Sequence, residues 1–340
     1  MQLDDQFEDL IDSLGGFYRT WLIHLGLELG LFAALRSAGS AGSTPDALAA
    51  ATETTPAAVR VWAWAADAHG LAELTEDGRL VSNEAIASML LDADRLEYLG
   101  GQFTHSAVAS LDWDGMAEFF RSGRTLRARP ERYRTSIERL TAQDIAVFFQ
   151  EVLAALPQLV QDLERGGRIL DVHCGGGLWL VAMARRFGAV RGVGVETEAD
   201  SVDRARRHIA TAGLTERLVV EHGEIGAAAT AAPFDLVYYQ YALHAVRDPV
   251  ASLRSAWAVT HADGGRLLVL DWPLPSTPDE FRTRHGELIA GVQLDAMLEG
   301  RRLAPREEFV AWFEAAGLPR PSVVDLPSGA SLFLAERPAA

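Results

Sequence analysis

Acidic residues and glycines follow two hydrophobic segments in the middle of the chain. Residues 169–177 read Ile-Leu-Asp-Val-His-Cys-Gly-Gly-Gly, so a strand that carries Asp171 runs directly into a glycine turn. Glycine lacks a Cβ, and the turn therefore lets a bound molecule approach the backbone. The segment at 193–196, Val-Gly-Val-Glu, ends in an acid that can accept hydrogen bonds from ribose hydroxyls. This pair predicts a site for a ribose-containing cofactor.

A histidine follows a later hydrophobic segment, the predicted strand at 234–239. His244 lies just past its end, and open α/β sheets bind ligands at the carboxyl ends of their strands. A histidine side chain exchanges a proton near neutral pH and can therefore deprotonate a hydroxyl. We predict that His244 is a general base; the alternative is a histidine that is structural or only orients a substrate.

The composition excludes several chemistries. All 31 basic residues are arginine, which removes Schiff-base catalysis, a P-loop lysine and a lysine general base. The net charge of −16 argues against a nucleic-acid partner, because phosphate binding needs clustered basic residues. The one cysteine, Cys174, excludes an internal disulfide and a cysteine-rich zinc site. An acidic start and the lack of an apolar run of about 18 residues predict a cytoplasmic protein with no membrane partner.

The elements that must position these residues begin at residue 168, where strands alternate with helices. Such alternation predicts a parallel α/β sheet. Helices are expected at 179–187, 200–212 and 306–316. Strands are expected at 168–173, 190–196, 218–222, 234–239 and 266–271, followed by a closing antiparallel pair at 322–326 and 331–335.

The first hundred residues have a different pattern. Residues 7–36 carry apolar residues at helical spacing, although several glycines weaken a single straight helix. This apolar surface suits either a partner interface or packing within its own domain. Two helix starts, at Ser43–Asp46 and at Thr55-Pro56, precede a small hairpin at 71–82, which is compatible with a winged helix. Sixteen acidic residues against five arginines in residues 1–100 favour a structural or dimerising role over DNA binding.

Aromatic residues are frequent in the mainly helical region at 100–165. Aromatic side chains there could form the wall of a pocket for a flat or apolar substrate, and the alternative is that most of them are core residues. The candidates for this wall are Phe103, His105, Trp113, Phe148 and Phe149.

The motifs occur in an order that resembles the class I S-adenosylmethionine-dependent methyltransferases. The set is Asp171, Gly175-Gly-Gly177, Glu196, Gly223-Glu224 and Phe234-Asp235-Leu-Val. The segment Tyr241-Ala-Leu-His244-Ala-Val-Arg-Asp248 resembles the Leu-His-x-x-x-Asp segment of the small-molecule O-methyltransferases. Similarity to that family continues through Asp295–Arg301, Glu308-Phe and Ala315-Ala-Gly-Leu. The resemblance covers nearly the whole chain.

This resemblance implies a fold, a cofactor and a set of roles. The expected fold is a Rossmann-like α/β methyltransferase sheet with an antiparallel C-terminal strand, preceded by a mainly helical N-terminal winged-helix dimerisation domain. The domains would be 1–100 for dimerisation, 101–165 for a helical linker and substrate pocket, and 166–340 for S-adenosylmethionine binding. The partners would be a small-molecule substrate and a second copy of the chain, and His244 would deprotonate the accepting hydroxyl. The cofactor residues would be Asp171, Gly175 and Gly177 for the methionine part, Glu196 for ribose, Glu224 and Ile225 for adenine, and Gln240 in the same pocket.

Two departures from the family pattern bear on the role of His244. Ala245 replaces the usual acid, and Gly300-Arg-Arg-Leu-Ala lacks an acid where the family has one. His244 is therefore expected to lack an orienting carboxylate, which leaves open a C-methyltransferase or a non-methylating relative on the same fold. A C-methyltransferase with a metal bound by His244, His285 and an acid is a further option.

Two readings from other classes also remain. In an NAD-dependent oxidoreductase the dinucleotide fingerprint would need a third glycine, and this loop has Leu180 there. A winged-helix regulator that senses a ligand is disfavoured by the acidic N-terminal region.

Overall fold

The computed structural model describes residues 3–125, 129–231 and 233–338. The chain divides into two compact units. The first comprises residues 1–113 and 129–146, and the second comprises residues 114–128 and 147–340. The expected three-part division at residues 100 and 165 stays a prediction.

The N-terminal half of the chain is mainly helical. Its helices are α1 (Leu3–Glu28), α2 (Leu31–Ser37), α3 (Pro45–Ala51), α4 (Pro56–Ala68), α5 (Glu84–Leu91), α6 (Gly100–Ser110), α7 (Met116–Ser122) and α8 (Glu131–Val147). A two-stranded antiparallel sheet joins β1 (Ala72–Leu74) to β2 (Leu80–Ser82). Helix, helix and hairpin occur in the predicted order, and the winged-helix assignment stays a prediction.

The apolar stretch at 7–36 forms two helices. The chain leaves α1 near Gly30, whose left-handed conformation (φ 70°) suits glycine at a helix end. Gly26 remains inside α1, where a Cβ would come within 2.3 Å of the Phe32 ring. This close approach lets Phe32 and Trp62 pack edge to face, 5.3 Å apart, in the core of the first unit.

The second unit contains a seven-stranded sheet in the order β5-β4-β3-β6-β7-β9-β8. The first five strands are parallel; β9 runs antiparallel to β7 and to β8. The strands are β3 (Gly167–Val172), β4 (Val190–Glu196), β5 (Leu218–His222), β6 (Leu236–Gln240), β7 (Arg266–Asp271), β8 (Ser322–Asp325) and β9 (Ser331–Glu336). Each lies where the sequence predicts a strand, and the predicted α/β fold is confirmed.

Two helices precede the strands of this unit in sequence, and six lie between them. They are α9 (Leu153–Ala155), α10 (Pro157–Arg165), α11 (Leu178–Arg186), α12 (Ala199–Thr211), α13 (Pro249–Val259), α14 (Pro278–Phe281), α15 (Arg284–Leu298) and α16 (Arg306–Ala315). Within the region at 100–165 that is predicted to be mainly helical, a π-helical turn follows α8 at Phe148–Val152, and Pro157 begins α10.

The central strands consist almost entirely of buried apolar residues, because both faces of the sheet are covered. Leu170, Val237, Leu267 and Val269 have no exposed surface. Polar residues are left to the strand ends. The packing of the sheet therefore fixes the positions from which the functional candidates extend.

Candidate active site

The carboxyl ends of the parallel strands lie along one edge of the sheet, which we call the strand edge. The predicted cofactor residues lie there. The strand order reverses between β3 and β6, where ligands of open α/β sheets bind. The register aligns Val172 with Val195 of β4 and with Tyr239 of β6. Residues at or just beyond these strand ends are Asp171, Gly175, Gly177, Glu196, Glu224, Ile225, Gln240 and His244.

The glycine turn after β3 is held by main-chain hydrogen bonds. Cys174 N–H donates to the Val195 carbonyl at 3.1 Å, and Gly177 N–H donates to the Cys174 carbonyl at 2.8 Å. Gly175 and Gly177 have φ angles of 51° and 68°, which glycine adopts without strain. A Cβ on Gly175 would meet no atom within 4 Å, so the turn leaves open space beside its backbone.

Glu196 is buried, and its carboxylate binds the glycine turn and its own loop. Oε2 accepts from Gly175 N–H at 2.9 Å. Oε1 accepts from Thr197 N–H at 2.8 Å and from Glu198 N–H at 3.0 Å. Thr197 Oγ1 also donates to Oε1 at 3.4 Å. Each carboxylate oxygen has about two acceptor positions, so Oε2, which accepts one bond from the described residues, keeps about one position for a ribose hydroxyl.

Asp171 is buried in β3 close to the same edge. Burial raises the pKa of its carboxyl well above the ordinary value, and the negative charge of Glu196 raises it further. Strongly shifted carboxyls of this kind concentrate at functional sites. A cationic ligand would stabilise the ionised form of Asp171, which suits a cofactor with positive charge.

His244 forms a close pair with Asp271, the last residue of β7. Its Nδ1 lies 2.9 Å from both carboxylate oxygens, and Asp271 is 1% exposed. Because a carboxylate only accepts, Nδ1 carries a proton and Nε2 of a neutral ring is left as an acceptor. The expectation that His244 lacks an orienting carboxylate is therefore wrong, because the acid comes from the neighbouring strand.

Asp248, the acid of the Leu-His-x-x-x-Asp segment, has a structural role. Its Oδ1 accepts from Ala251 N–H at 2.9 Å and caps the N-terminus of α13. Ala245 lies in the short 3₁₀ turn that carries His244. Neither position supplies the carboxylate that holds the imidazole.

Two side chains close to this pair contain buried polar atoms. The Oε1 atom of Gln240 and the Nε1 atom of Trp272 have no hydrogen-bond partner among the residues that the structure describes. A buried polar atom without a partner costs about 1–3 kcal/mol. An acceptor and a donor beside the strand ends are thus available to a ligand. Trp272 was not predicted from the sequence.

The adenine candidates follow β5. Gly223 N–H donates to the Glu196 carbonyl at 2.9 Å, which brings the end of β5 beside the end of β4. Ile225 is buried and Glu224 is exposed. Ile225 packs in the hydrophobic core of the second unit, and Glu224 presents its carboxylate to solvent.

The five aromatic candidates divide between the two units. In the first unit, His105 Nδ1 lies 3.0 Å from Ser136 Oγ, Phe103 packs against the apolar core, and Trp113 is 41% exposed. In the second unit, Phe148 and Phe149 lie in the π-helical turn. A common pocket stays a prediction.

The prediction that Phe148 forms a pocket wall needs correction. Phe148 has no exposed surface, and its ring lies 5.1 Å from that of Trp179 and 4.9 Å from that of Tyr238. It is a core residue because three large aromatic rings enclose one another there. Phe149 instead lines a shallow cavity of about 330 Å³ with Leu153 and other residues.

The structure gives no support to a metal site. Within 3–125, 129–231 and 233–338, no group of three or more His, Cys, Asp or Glu residues could hold a metal ion. His285, the second histidine of the metal alternative, lies against Gly329 in the hairpin between β8 and β9. In the same parts of the chain, no helix is long and apolar enough to cross a membrane.

Comparison with known proteins identifies relatives for this arrangement. A family model described as a methyltransferase domain matches residues 142–319, slightly more than half of the chain. The ubiquinone biosynthesis O-methyltransferase of Xanthomonas axonopodis pv. citri (strain 306) is 34% identical over 155 residues, which are 45% of this chain and 63% of that protein. The chain spans about half the length of the curated relatives that it matches.

Solved structures resemble the whole chain. Human N-acetylserotonin methyltransferase, in a complex with S-adenosylmethionine, has a TM-score of 0.73 at 16% identity and covers 100% of both chains. An O-methyltransferase family protein from Burkholderia thailandensis has a TM-score of 0.69 at 19% identity and covers 98% of both chains. These similarities confirm the predicted α/β methyltransferase fold with its helical N-terminal region.

Proposed function

The chain belongs to the methyltransferase domain family, and on that premise we propose that it transfers a methyl group from S-adenosylmethionine to a hydroxyl oxygen of a small organic molecule. The observation that carries this proposal is the His244–Asp271 pair at the strand edge that holds the cofactor candidates. A paired imidazole beside a methyl-donor site is suited to deprotonating a hydroxyl.

The residues at the strand edge fit S-adenosylmethionine. Gly175 leaves open space beside the turn, and Oε2 of Glu196 keeps about one acceptor position for a ribose hydroxyl. The cofactor carries a sulfonium and an ammonium, which would favour the ionised form of buried Asp171. Gln240 offers a buried acceptor atom that lacks a partner in the described chain. Ile225 and Glu224 would meet the adenine.

The chemistry then needs one proton transfer from the protein. When bound, the cofactor would supply an activated methyl group, because a sulfonium releases a neutral thioether, which is a good leaving group. Nε2 of His244 would accept the proton of the substrate hydroxyl, which makes the oxygen a better nucleophile for the methyl group. Asp271, buried and hydrogen-bonded to Nδ1, would stabilise the imidazolium that forms.

For the substrate, we propose a flat or apolar molecule. Phe103, His105, Trp113 and Phe149 are the proposed contacts, with Phe148 supporting Phe149 from the core at a ring distance of 5.7 Å. Aromatic surface of this kind binds flat apolar ligands. A C-methyltransferase remains the second candidate, since carbon acceptors activated by a neighbouring hydroxyl need the same proton transfer.

We also propose that the chain is a homodimer joined through its first unit, in the cytoplasm and without a nucleic-acid partner. The support is an exposed apolar surface on α1, where Phe7, Leu10, Leu14 and Phe17 are 53–67% exposed. Surfaces of this kind rarely face water in a monomer. Sedimentation velocity measures the association state, and a monomer at all concentrations would contradict this part.

The function is tested by calorimetry of the purified protein with S-adenosylmethionine, S-adenosylhomocysteine and NAD. We expect binding of the first two, with a Kd that is raised at least about tenfold but still measurable in Glu196→Ala. A screen of phenols and enols with the deuterium-labelled methyl donor then locates the transferred group by mass spectrometry, with His244→Ala as the control. Label on carbon would favour the second candidate. Binding of NAD alone, or of no ligand, would overturn the proposal.

A further inference from the structure

Two histidines that the sequence did not single out contact main-chain carbonyls on either side of the glycine turn and Glu196. His208, in the last turn of α12, places Nδ1 2.8 Å from the carbonyl oxygen of Gly176. His222, the last residue of β5, places Nε2 2.9 Å from the carbonyl oxygen of Thr197. A carbonyl oxygen only accepts, so each of these ring nitrogens carries a proton and donates.

The first contact begins a chain of hydrogen bonds that ends on Glu196. The carbonyl of Gly176 shares a peptide group with Gly177 N–H, which donates to the Cys174 carbonyl at 2.8 Å. The Cys174 carbonyl shares a peptide group with Gly175 N–H, which donates to Oε2 of Glu196 at 2.9 Å. Two peptide groups therefore connect the α12 histidine to one carboxylate oxygen.

The second contact leads to the other oxygen through one peptide group. The carbonyl of Thr197, which accepts from His222, shares its peptide group with Glu198 N–H. That N–H donates to Oε1 of Glu196 at 3.0 Å. Hydrogen bonds in series polarise one another and strengthen together. Each oxygen of the Glu196 carboxylate is thus the end of a hydrogen-bond chain that begins at a histidine.

We propose that His208 and His222 are positioning residues that hold Glu196 and the glycine turn in the geometry that binds the cofactor ribose. The proposal rests on the proposed function for the role of Glu196. Glycine turns lose much conformational entropy on ordering, so a side chain that anchors one prepares it for a ligand. The turn also lies against α12, because a Cβ on Gly177 would come within 3.0 Å of the Ala205 Cβ.

The two contributions differ in size. His208 is half-buried, whereas His222 is exposed, so water competes more strongly for the carbonyl of Thr197. A neutral hydrogen bond in a protein changes an equilibrium by about twofold to tenfold. We therefore expect His208→Leu to raise the Kd for S-adenosylmethionine about threefold to tenfold and His222→Leu about twofold to threefold.

Conservative variants separate the lost hydrogen bond from a general structural effect. An asparagine amide at 208 offers a donor near the Nδ1 position, and a glutamine amide at 222 offers one near Nε2. His208→Asn and His222→Gln should therefore bind within about twofold of the unchanged protein. His261→Leu is the matched control, because its Nδ1 also lies 2.9 Å from a carbonyl, that of Asp263, in a turn away from the strand edge. Equal weakening by all the leucine variants, the control included, would overturn the proposal.

The route through Glu196 has its own test. In a Glu196→Ala background, His208→Leu should change the Kd by less than about twofold, since the chain then ends on no carboxylate. In the unchanged background, the KM for the cofactor should rise while kcat stays constant. If His208→Leu raised the Kd by the same factor with Glu196 and with Ala at position 196, the positioning role would be overturned.

Hydrogen exchange of the protein without cofactor makes the test independent of the proposed function. Peptides that cover residues 173–178 should exchange faster in His208→Leu and at the original rate in His208→Asn. If the unchanged protein binds no S-adenosylmethionine yet shows this pattern, the proposed function fails and the anchoring stands. Unchanged exchange in His208→Leu would overturn the anchoring, whatever the cofactor result.

Discussion

The His244–Asp271 pair gives the sharpest prediction about catalysis. Asp271→Asn keeps the shape of the side chain and removes the charge that would stabilise an imidazolium. Both oxygens of Asp271 lie 2.9 Å from Nδ1, and the side chain is 1% exposed, so water cannot replace the lost charge. A hydrogen bond to a charged group contributes about 1.5–3 kcal/mol. Because about 1.4 kcal/mol is a factor of ten in rate, kcat should fall about 10- to 160-fold.

The assay follows S-adenosylhomocysteine release with a substrate identified in the labelling screen, and calorimetry measures the cofactor Kd of the same variant. We expect the Kd to stay constant, because the groups that hold Glu196 and the glycine turn do not involve Asp271. Asp248→Asn is the control. Its carboxylate caps α13, and asparagine caps a helix about as well, so kcat should not change.

Two results would contradict the role given to Asp271. If Asp271→Asn keeps kcat within about threefold, the paired carboxylate does not stabilise charge in the rate-limiting step. If kcat falls equally in Asp271→Asn and Asp248→Asn, the loss reflects a disturbed strand edge and not the pair. A fall in Asp271→Asn alone, with His244→Ala at least as slow, supports the general-base role.

Further predictions concern stability, the glycine turn and association. Burial raises the pKa of Asp144 to about 8 from an ordinary 3.8, so the folded protein holds a proton that the unfolded chain releases, and stability falls as the pH rises between these values. In denaturation experiments, Asp144→Asn should therefore raise the free energy of unfolding by up to about 4 kcal/mol near pH 7 and change it little near pH 4. An equal gain at both pH values would contradict a raised pKa for Asp144. Gly175 has a φ of 51° and open space beside it, so Gly175→Ala should lower the free energy of unfolding by about 1–2 kcal/mol. The added methyl group should also weaken cofactor binding measurably. An unchanged affinity would argue against a ligand beside the turn. Leu10→Asp with Phe17→Asp should yield monomers in sedimentation velocity with a folded circular-dichroism spectrum, and an intact dimer would exclude α1 as the interface.

The sheet and much of the strand edge could be predicted because one rule governs both. Central parallel strands must be apolar throughout, so their polar residues gather at the carboxyl ends, which the topology brings to a single edge. Hydrophobic runs and the residues that end them predict that Asp171, Glu196 and His244 lie at this edge, where the structure places them. The order of the elements in the first unit also followed from helix starts and a hairpin.

Other features depend on packing that has no local signal. Phe148 and Phe149 are neighbours in sequence, and the π-helical turn gives them different surroundings, one in the core and one beside a cavity. His208 and His222 bind main-chain carbonyls, which every residue carries, so no residue type marks the partner in advance. Such contacts appear only when the loops are placed in three dimensions.

Asp271 lies between these cases, because a rule existed that would have found it. A search for an acid near His244 along the sequence fails at Ala245, and the actual partner is 27 residues away. In space the two are neighbours, since the register pairs Gln240 with Leu270 and therefore brings the ends of β6 and β7 together. An acid that ends one parallel strand should be considered as a partner for a histidine just past the adjacent strand. By that argument the departure at Ala245 does not weaken the case for a general base, because the strand order supplies the carboxylate that the motif lacks.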